Sequence, residues 1–144
     1  MERTFLVTGP TGPTGNNTVK SLLEAGVNVR AFTHRDDERA EALRKLGAQV
    51  VIGNILDFQA VRGAVEGVEA AYFVFPIMPG ILQATAYFAQ AAKEAGLKSV
   101  VNMSQISARR EARSHAALDH WLAERVFDWS GIPVAHLRPT LFAE

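Results

Sequence analysis

Thr4-Phe5-Leu6-Val7-Thr8-Gly9-Pro10-Thr11-Gly12-Pro13-Thr14-Gly15-Asn16 is the stretch from which the rest of the chain is best understood. Thr4–Thr8 is β-branched and apolar, as a strand requires. Asn17–Ala25, with Val19, Leu22 and Leu23 at helical spacing, predicts a helix. Between them the glycines are spaced G-x-x-G-x-x-G. A strand that turns through glycines into a helix N-terminus brings unpaired backbone N–H groups and partial positive charge to one point, with no side chain in the way, which is what a pyrophosphate needs. Gly9, Gly12 and Gly15 are the expected cradle, with Thr11, Thr14 and Asn16 as added donors. Pro10 and Pro13 remove two N–H groups and stiffen the turn. An ordinary tight loop would use the same residue types; placement between a first strand and a first helix favours a dinucleotide site.

Beyond this turn, one pattern recurs five times: a helix-like segment, a glycine, then a short β-rich run. The glycines are Gly26, Gly47, Gly67, Gly96 and Gly131, each placed as a helix C′ residue. The runs are Val27–Phe32, Ala48–Ile52, Ala70–Phe75, Leu97–Met103 and Val134–Leu137, to which Thr4–Thr8 adds a sixth. Most are continuous rather than alternating, which suits strands buried on both faces. Strands alternating with helices imply right-handed crossovers and a parallel sheet. The expectation is a single domain over residues 1–144, an α/β fold of Rossmann type, doubly wound, with strand order 3-2-1-4-5-6 and helices on both faces. Ligands of such sheets sit at the carboxyl ends of the strands, where the winding reverses.

Fifteen basic residues balance fifteen acidic ones, so no overall field holds nucleic acid or an anionic membrane. The chain has no cysteine, which excludes disulfides, thiolate metal sites and thiol nucleophiles; no metal site is expected. The longest apolar runs are too short to span a bilayer, and Met1-Glu2-Arg3 leads straight into a strand without a signal-peptide pattern, so a cytoplasmic protein is the expectation.

Thr8–Gly15, the pair His34-Arg35, Gly53-Asn54-Ile55-Leu56-Asp57, Ser130-Gly131-Ile132-Pro133 and Arg138-Pro139 together resemble the NmrA-like group of atypical short-chain dehydrogenases, over essentially the whole chain. The resemblance implies a nicotinamide dinucleotide as cofactor. It also implies that Asn54, Ile55 and Asp57 lie near the adenine, although Asp57 is equally placed to cap the following helix. Members of the group generally continue well past Arg138-Pro139 into a region that closes over the nicotinamide, whereas this sequence stops at Glu144. Either a second copy supplies that wall, or the chain is a cofactor-binding remnant, fragment or sensor.

At the end of the second strand an acidic residue selects NAD by holding the ribose hydroxyls, and a basic one accepts the extra phosphate of NADP. Thr33-His34-Arg35 stands there. Arg35, assisted by His34, predicts NADP(H), with NAD(H) retained because Asp36 and Asp37 follow and can neutralise the arginine or cap the helix Asp37–Leu46. Phe75 and Pro76, ending the fourth strand, are expected beside the nicotinamide ribose.

Standard short-chain dehydrogenases use a tyrosine four residues before a lysine as proton donor. Tyr72 is followed at that distance by Pro76 and Tyr87 by Ala91, so the pair is absent. Ser104, ending the fifth strand, and His120, to which the resemblance to NmrA-like quinone reductases points, are the candidate catalytic residues; His120 as a plain helix residue is the competing reading. Arg109-Arg110-Glu111-Ala112-Arg113 reads as a solvated face and Trp121/Trp129 as packing. Two functions remain open: an NAD(P)H-dependent reductase of a small carbonyl or quinone-type substrate, or a non-catalytic redox sensor that reports cofactor binding to a protein partner. A homo-oligomer is compatible with both.

Overall fold

A computed structural model describes residues 3–76 and 78–139. Strand β1 (Thr4–Thr8) leads into helix α1 (Pro13–Glu24), then β2 (Asn28–Thr33), α2 (Glu38–Leu46), β3 (Gln49–Ile52), α3 (Phe58–Val65), β4 (Ala70–Phe73), α4 (Ile81–Ala95), β5 (Ser99–Met103), α5 (His115–Ser130) and β6 (Val134–Leu137). All strand pairs are parallel and the order is β3-β2-β1-β4-β5-β6, as the sequence predicts. The winding reverses between β1 and β4, whose registered pairs are Phe5 with Ala70 and Val7 with Tyr72.

The five punctuating glycines all take positive φ, from +75° at Gly96 to +109° at Gly47, which side-chain-bearing residues rarely adopt. Two boundaries differ from the sequence reading. Helix α1 begins at Pro13 rather than Asn17, because Gly12 is its N-cap and Pro13 its first residue, where proline's fixed φ is favourable and its missing N–H has no intrahelical use. Helix α2 begins at Glu38, one residue later than expected, because Asp37 caps it: its carboxylate accepts from the amides of Arg39 (3.0 Å) and Ala40 (3.3 Å).

Two cores sandwich the sheet. The larger, including Leu6, Phe32, Phe73, Phe88, Val100 and Phe127, fills the face carrying α3, α4 and α5. Phe73, Phe88 and Phe127 meet with ring centroids 4.9 to 6.4 Å apart. The smaller, with Val7, Val19, Val29, Ala31 and Leu43, lies under α1 and α2. Trp129, expected to pack, is 73% exposed, while Trp121 lies half-buried under the Arg125 guanidinium at 5.1 Å.

Candidate functional site

The three glycines of the turn are glycine for different reasons. Gly9 sits at φ +58°, and a Cβ there would stand 2.5 Å from the Val74 Cγ1. A Cβ on Gly15 would collide with the Gly9 carbonyl and lie 3.0 Å from the Pro10 Cα, so this glycine lets α1 lie against the turn. Gly12 is different. Its φ is −80°, and a Cβ would meet nothing closer than the Gly9 carbonyl oxygen at 3.6 Å, an ordinary contact. Protein packing gives no reason for glycine there.

Gly12 also leaves α1 without a side-chain cap. Its own amide donates to the Gly9 carbonyl (3.2 Å) and the Asn16 amide to the Gly12 carbonyl (2.8 Å), so the first-turn amides of Thr14 and Gly15 are left without an intrahelical partner. The turn is held to the sheet by Thr8: its hydroxyl donates to the Val74 carbonyl and accepts from the Val74 amide, both at 2.9 Å.

Beside this helix mouth is a cleft of about 370 Å³ over the carboxyl ends of β1, β2, β3 and β4. Of the residues singled out in the sequence, Gly9, Thr11, His34, Asn54, Ile55, Phe75 and Pro76 line it, and Pro10 lies in its wall without closing it. Gly12, Pro13, Thr14 and Gly15 belong to the adjoining mouth of α1. Thr33, Gly53, Leu56 and Met78 also line the cleft and were not named as site residues; the first three adjoin residues that were. Gly53 is required by packing, since a Cβ would stand 2.9 Å from the Phe32 ring. The Asn54 side chain accepts from the Leu56 amide (2.9 Å), and Asp57 caps α3 through the Gln59 amide (3.0 Å).

At the end of β2, both acidic residues after Arg35 are engaged elsewhere. Asp36 pairs with Arg44 at 2.9 Å, and Asp37 caps α2 and pairs with Arg39 at 3.1 Å. Arg35 is exposed and makes no ion pair among the described residues, so its charge is not neutralised by its neighbours. The residues present therefore fit a dinucleotide: unpaired amides and an open Gly12 for the pyrophosphate, a largely apolar cleft, and a cation without an ion pair among the described residues at the end of β2.

A second cleft, of about 300 Å³, shares Met78 with the first and is lined by Pro79, Ile81, His115, Ala116, Asp119 and His120. His120 is 5% exposed. Burial pushes its pKa below the usual 6.5, while the charges of Glu124 and Asp119 act against this in smaller measure. Ser104 does not reach this cleft. Its amide donates to the Leu137 carbonyl (2.7 Å), and its hydroxyl is fully buried without a hydrogen bond of ordinary geometry, although it comes close enough to Glu124 to help hold that charge. The expectation that Ser104 orients a substrate directly does not suit a hydroxyl so placed. His115 is exposed, and Arg109, Arg110 and Arg113 are solvated.

The group beneath His120 was not among the residues singled out in the sequence. Glu124, fully buried one helical turn along α5, accepts from Arg138 Nε at 2.9 Å and Nη2 at 2.5 Å. Burial raises its pKa, but Arg138, Ser104 and His136 outweigh this and hold it below the ordinary carboxylate value. Its signal was a carboxylate at the apolar spacing of His120 and Phe127. Nearby, His136 Nε2 meets Asp128 Oδ1 at 2.8 Å and Nδ1 meets Asn102 Nδ2 at 3.1 Å, so polar contacts clasp β6 to α5 and β5. Among the described residues no group of three His, Asp or Glu side chains is placed to hold a metal ion, and no helix is long and apolar enough to cross a membrane.

Sterol demethylase protein B of Methylococcus capsulatus is 36% identical over 129 residues, which cover 82% of this chain and 39% of that protein. The NAD(P)H azoreductase of Xenophilus azovorans is 30% identical over 142 residues, covering 97% of this chain and 49% of the relative. The triphenylmethane reductase of a Citrobacter species, solved in complex with NADP(H), superposes with a TM-score of 0.82 at 25% identity, over 97% of this chain and 50% of that one. The chain thus spans half or less of the length of these relatives. The profile of the NmrA-like family matches residues 1–142, and the chain belongs to that family.

Proposed function

We propose that the chain binds a nicotinamide dinucleotide, NADP(H) in preference to NAD(H), and forms the cofactor-binding part of an oxidoreductase that reduces a small carbonyl or quinone-type acceptor. The observation that carries this reading is Gly12, a glycine that the protein's own packing does not require, at the mouth of an uncapped helix. The pyrophosphate lies on Gly12, Thr14 and Gly15 with Thr11 beside it; Pro13 shapes the turn. Asn54 and Ile55 flank the adenine, Phe75 and Pro76 the nicotinamide ribose. Arg35, assisted by His34, takes the adenosine phosphate.

When bound, the cofactor supplies a hydride. His120, in the neighbouring cleft, holds the proton for the acceptor oxygen on a ring nitrogen. Ser104 acts from below, through Glu124, on the turn of α5 that carries His120. A sensor without turnover is the second reading, favoured by the burial of both His120 and the Ser104 hydroxyl.

Titration of Trp121 and Trp129 fluorescence with NADPH and NADH, followed by an absorbance screen for NADPH oxidation by quinones, aldehydes and azo dyes, tests the proposal. Tighter binding of NADPH and its consumption with at least one acceptor support it. Binding without consumption by any acceptor favours the sensor, and no binding of either nucleotide refutes both.

A further inference from the structure

Four carboxylates among the described residues are buried or half-buried: Asp37, Glu69, Asp119 and Glu124. Three of them have partners within the chain. Asp37 caps α2 and meets Arg39, Glu69 meets Lys98 Nζ at 3.2 Å, and Glu124 is held by Arg138. Asp119, on α5, has neither a hydrogen bond nor an ion pair among the described residues. A carboxylate drawn partly out of water costs free energy unless a donor or a cation compensates it. Asp119 lines the second cleft, whose wall is apolar at Met78, Pro79, Ile81 and Ala116 and holds no lysine or arginine among the described residues. His120 lines the same cleft, 5% exposed and likewise without a hydrogen bond. The charge of Asp119 reaches its imidazole, but burial outweighs it and leaves that ring uncharged at neutral pH, so His120 does not neutralise the carboxylate. His115, the remaining titratable group of the wall, is exposed and makes no ion pair with Asp119. The cleft adjoins the nucleotide cleft through Met78, which puts its occupant beside the Phe75 and Pro76 end of that cleft.

We propose that the second cleft takes a carbonyl or quinone-type acceptor that bears a nitrogen cation, and that the Asp119 carboxylate is the group that receives this charge. The inference rests on the reading of the chain as the cofactor-binding part of a reductase and names the acceptor class for that site. The apolar wall takes the body of the acceptor, and Asp119 selects among acceptors of similar shape: a cation is attracted, and an anion meets like charge and is rejected. During reduction the carbonyl carbon gains a hydride and its oxygen a proton, while the charge on the nitrogen is unaltered. Asp119 therefore holds the acceptor equally before and during the reaction, which makes it a binding residue whose loss raises KM and spares kcat.

Calorimetric titration of the chain with para-trimethylammoniobenzaldehyde and with para-tert-butylbenzaldehyde, each with and without saturating NADP+, tests this, because the two aldehydes differ in charge and scarcely in shape. The wild type is expected to bind the ammonium aldehyde more tightly by about fivefold or more. Asp119→Glu is expected to keep most of that preference. Asp119→Asn, which breaks no contact within the chain, is expected to bind the two aldehydes alike, with the far-ultraviolet dichroism spectrum and the affinities for NADP+ and NADPH unchanged. In turnover with NADPH the same substitution should raise KM for the ammonium aldehyde alone and leave kcat as it was. Binding of neither aldehyde, equal binding of both by the wild type, or a preference that survives Asp119→Asn overturns the proposal. A fall in NADP+ affinity alone on Asp119→Asn also overturns it, since the carboxylate would then serve the oxidised nicotinamide ring. A chain that shows the aldehyde preference without binding either nucleotide keeps the cation site at Asp119 and refutes the reductase.

Discussion

Gly12 and Gly15 are three residues apart and answer to different constraints. Gly12→Asp gives α1 a better N-cap than glycine, by a few tenths of a kcal/mol, so the melting temperature is expected to stay within about 2 °C of the wild type. The new carboxylate takes the Thr14 and Gly15 amides for itself and repels a phosphate, so NADPH affinity is expected to fall by at least about tenfold. Gly15→Ala, which drives a methyl group into the Gly9 carbonyl, is expected to lower the melting temperature itself. If thermal scans and nucleotide titrations of the two variants showed the reverse pattern, the division of roles in the turn would be wrong.

Arg35 is the second residue whose role separates in solution. Arg35→Glu places a negative charge against the extra phosphate, so NADPH binding should weaken by about tenfold or more while NADH binding changes little; equal weakening of both would remove Arg35 from that position. The glycine turn and the His34-Arg35 pair were legible in the sequence because their chemistry is local. The Glu124–Arg138 pair was not, since the thirteen intervening residues must fold before a carboxylate in an apolar stripe meets its cation.

The punctuation of the elements was readable throughout, because glycine at a helix C-terminus and a β-branched run after it are local preferences. Boundaries were less so. The first turn of α1 hides inside a glycine-proline stretch that resembles a loop, and only its cap geometry assigns Pro13 to the helix. Helix α5 has a plainer start: the Ser114 hydroxyl accepts from the Ala117 amide at 3.1 Å. Ser114→Ala should cost about 1 kcal/mol, roughly 3 °C of melting temperature for a domain of this size. A scan showing no loss would mean that the cap is not formed in solution. The exposure of Trp129 was missed because helical spacing identifies a stripe without saying that its last turn extends beyond the core.

For the whole molecule, two buried titratable groups make acid the expected weakness. The pKa of His120 is below 6.5 in the folded state, so the stability this group contributes is present above 6.5 and lost as pH falls through the lower folded value. Glu124, also depressed, contributes stability present above 4.5 and lost as pH falls further. Urea unfolding should therefore show a first decline below about pH 6.5 and a steeper one below about pH 4.5. Glu124→Gln should be less stable near neutrality by about 2 kcal/mol, because Arg138 loses its charged partner, yet show a flatter acid limb. A variant with the wild-type slope would exclude Glu124 from the lower transition.

The sheet order followed from the alternation of strands and helices; the unequal cover of its two faces did not, because it depends on where each crossover lands. Calorimetric titration of NADPH into the wild-type chain measures the binding on which the proposed function rests. A saturable heat with one nucleotide per chain and a micromolar dissociation constant is the expected result. Absence of heat at millimolar NADPH and NADH would contradict the placement of a pyrophosphate at the mouth of α1.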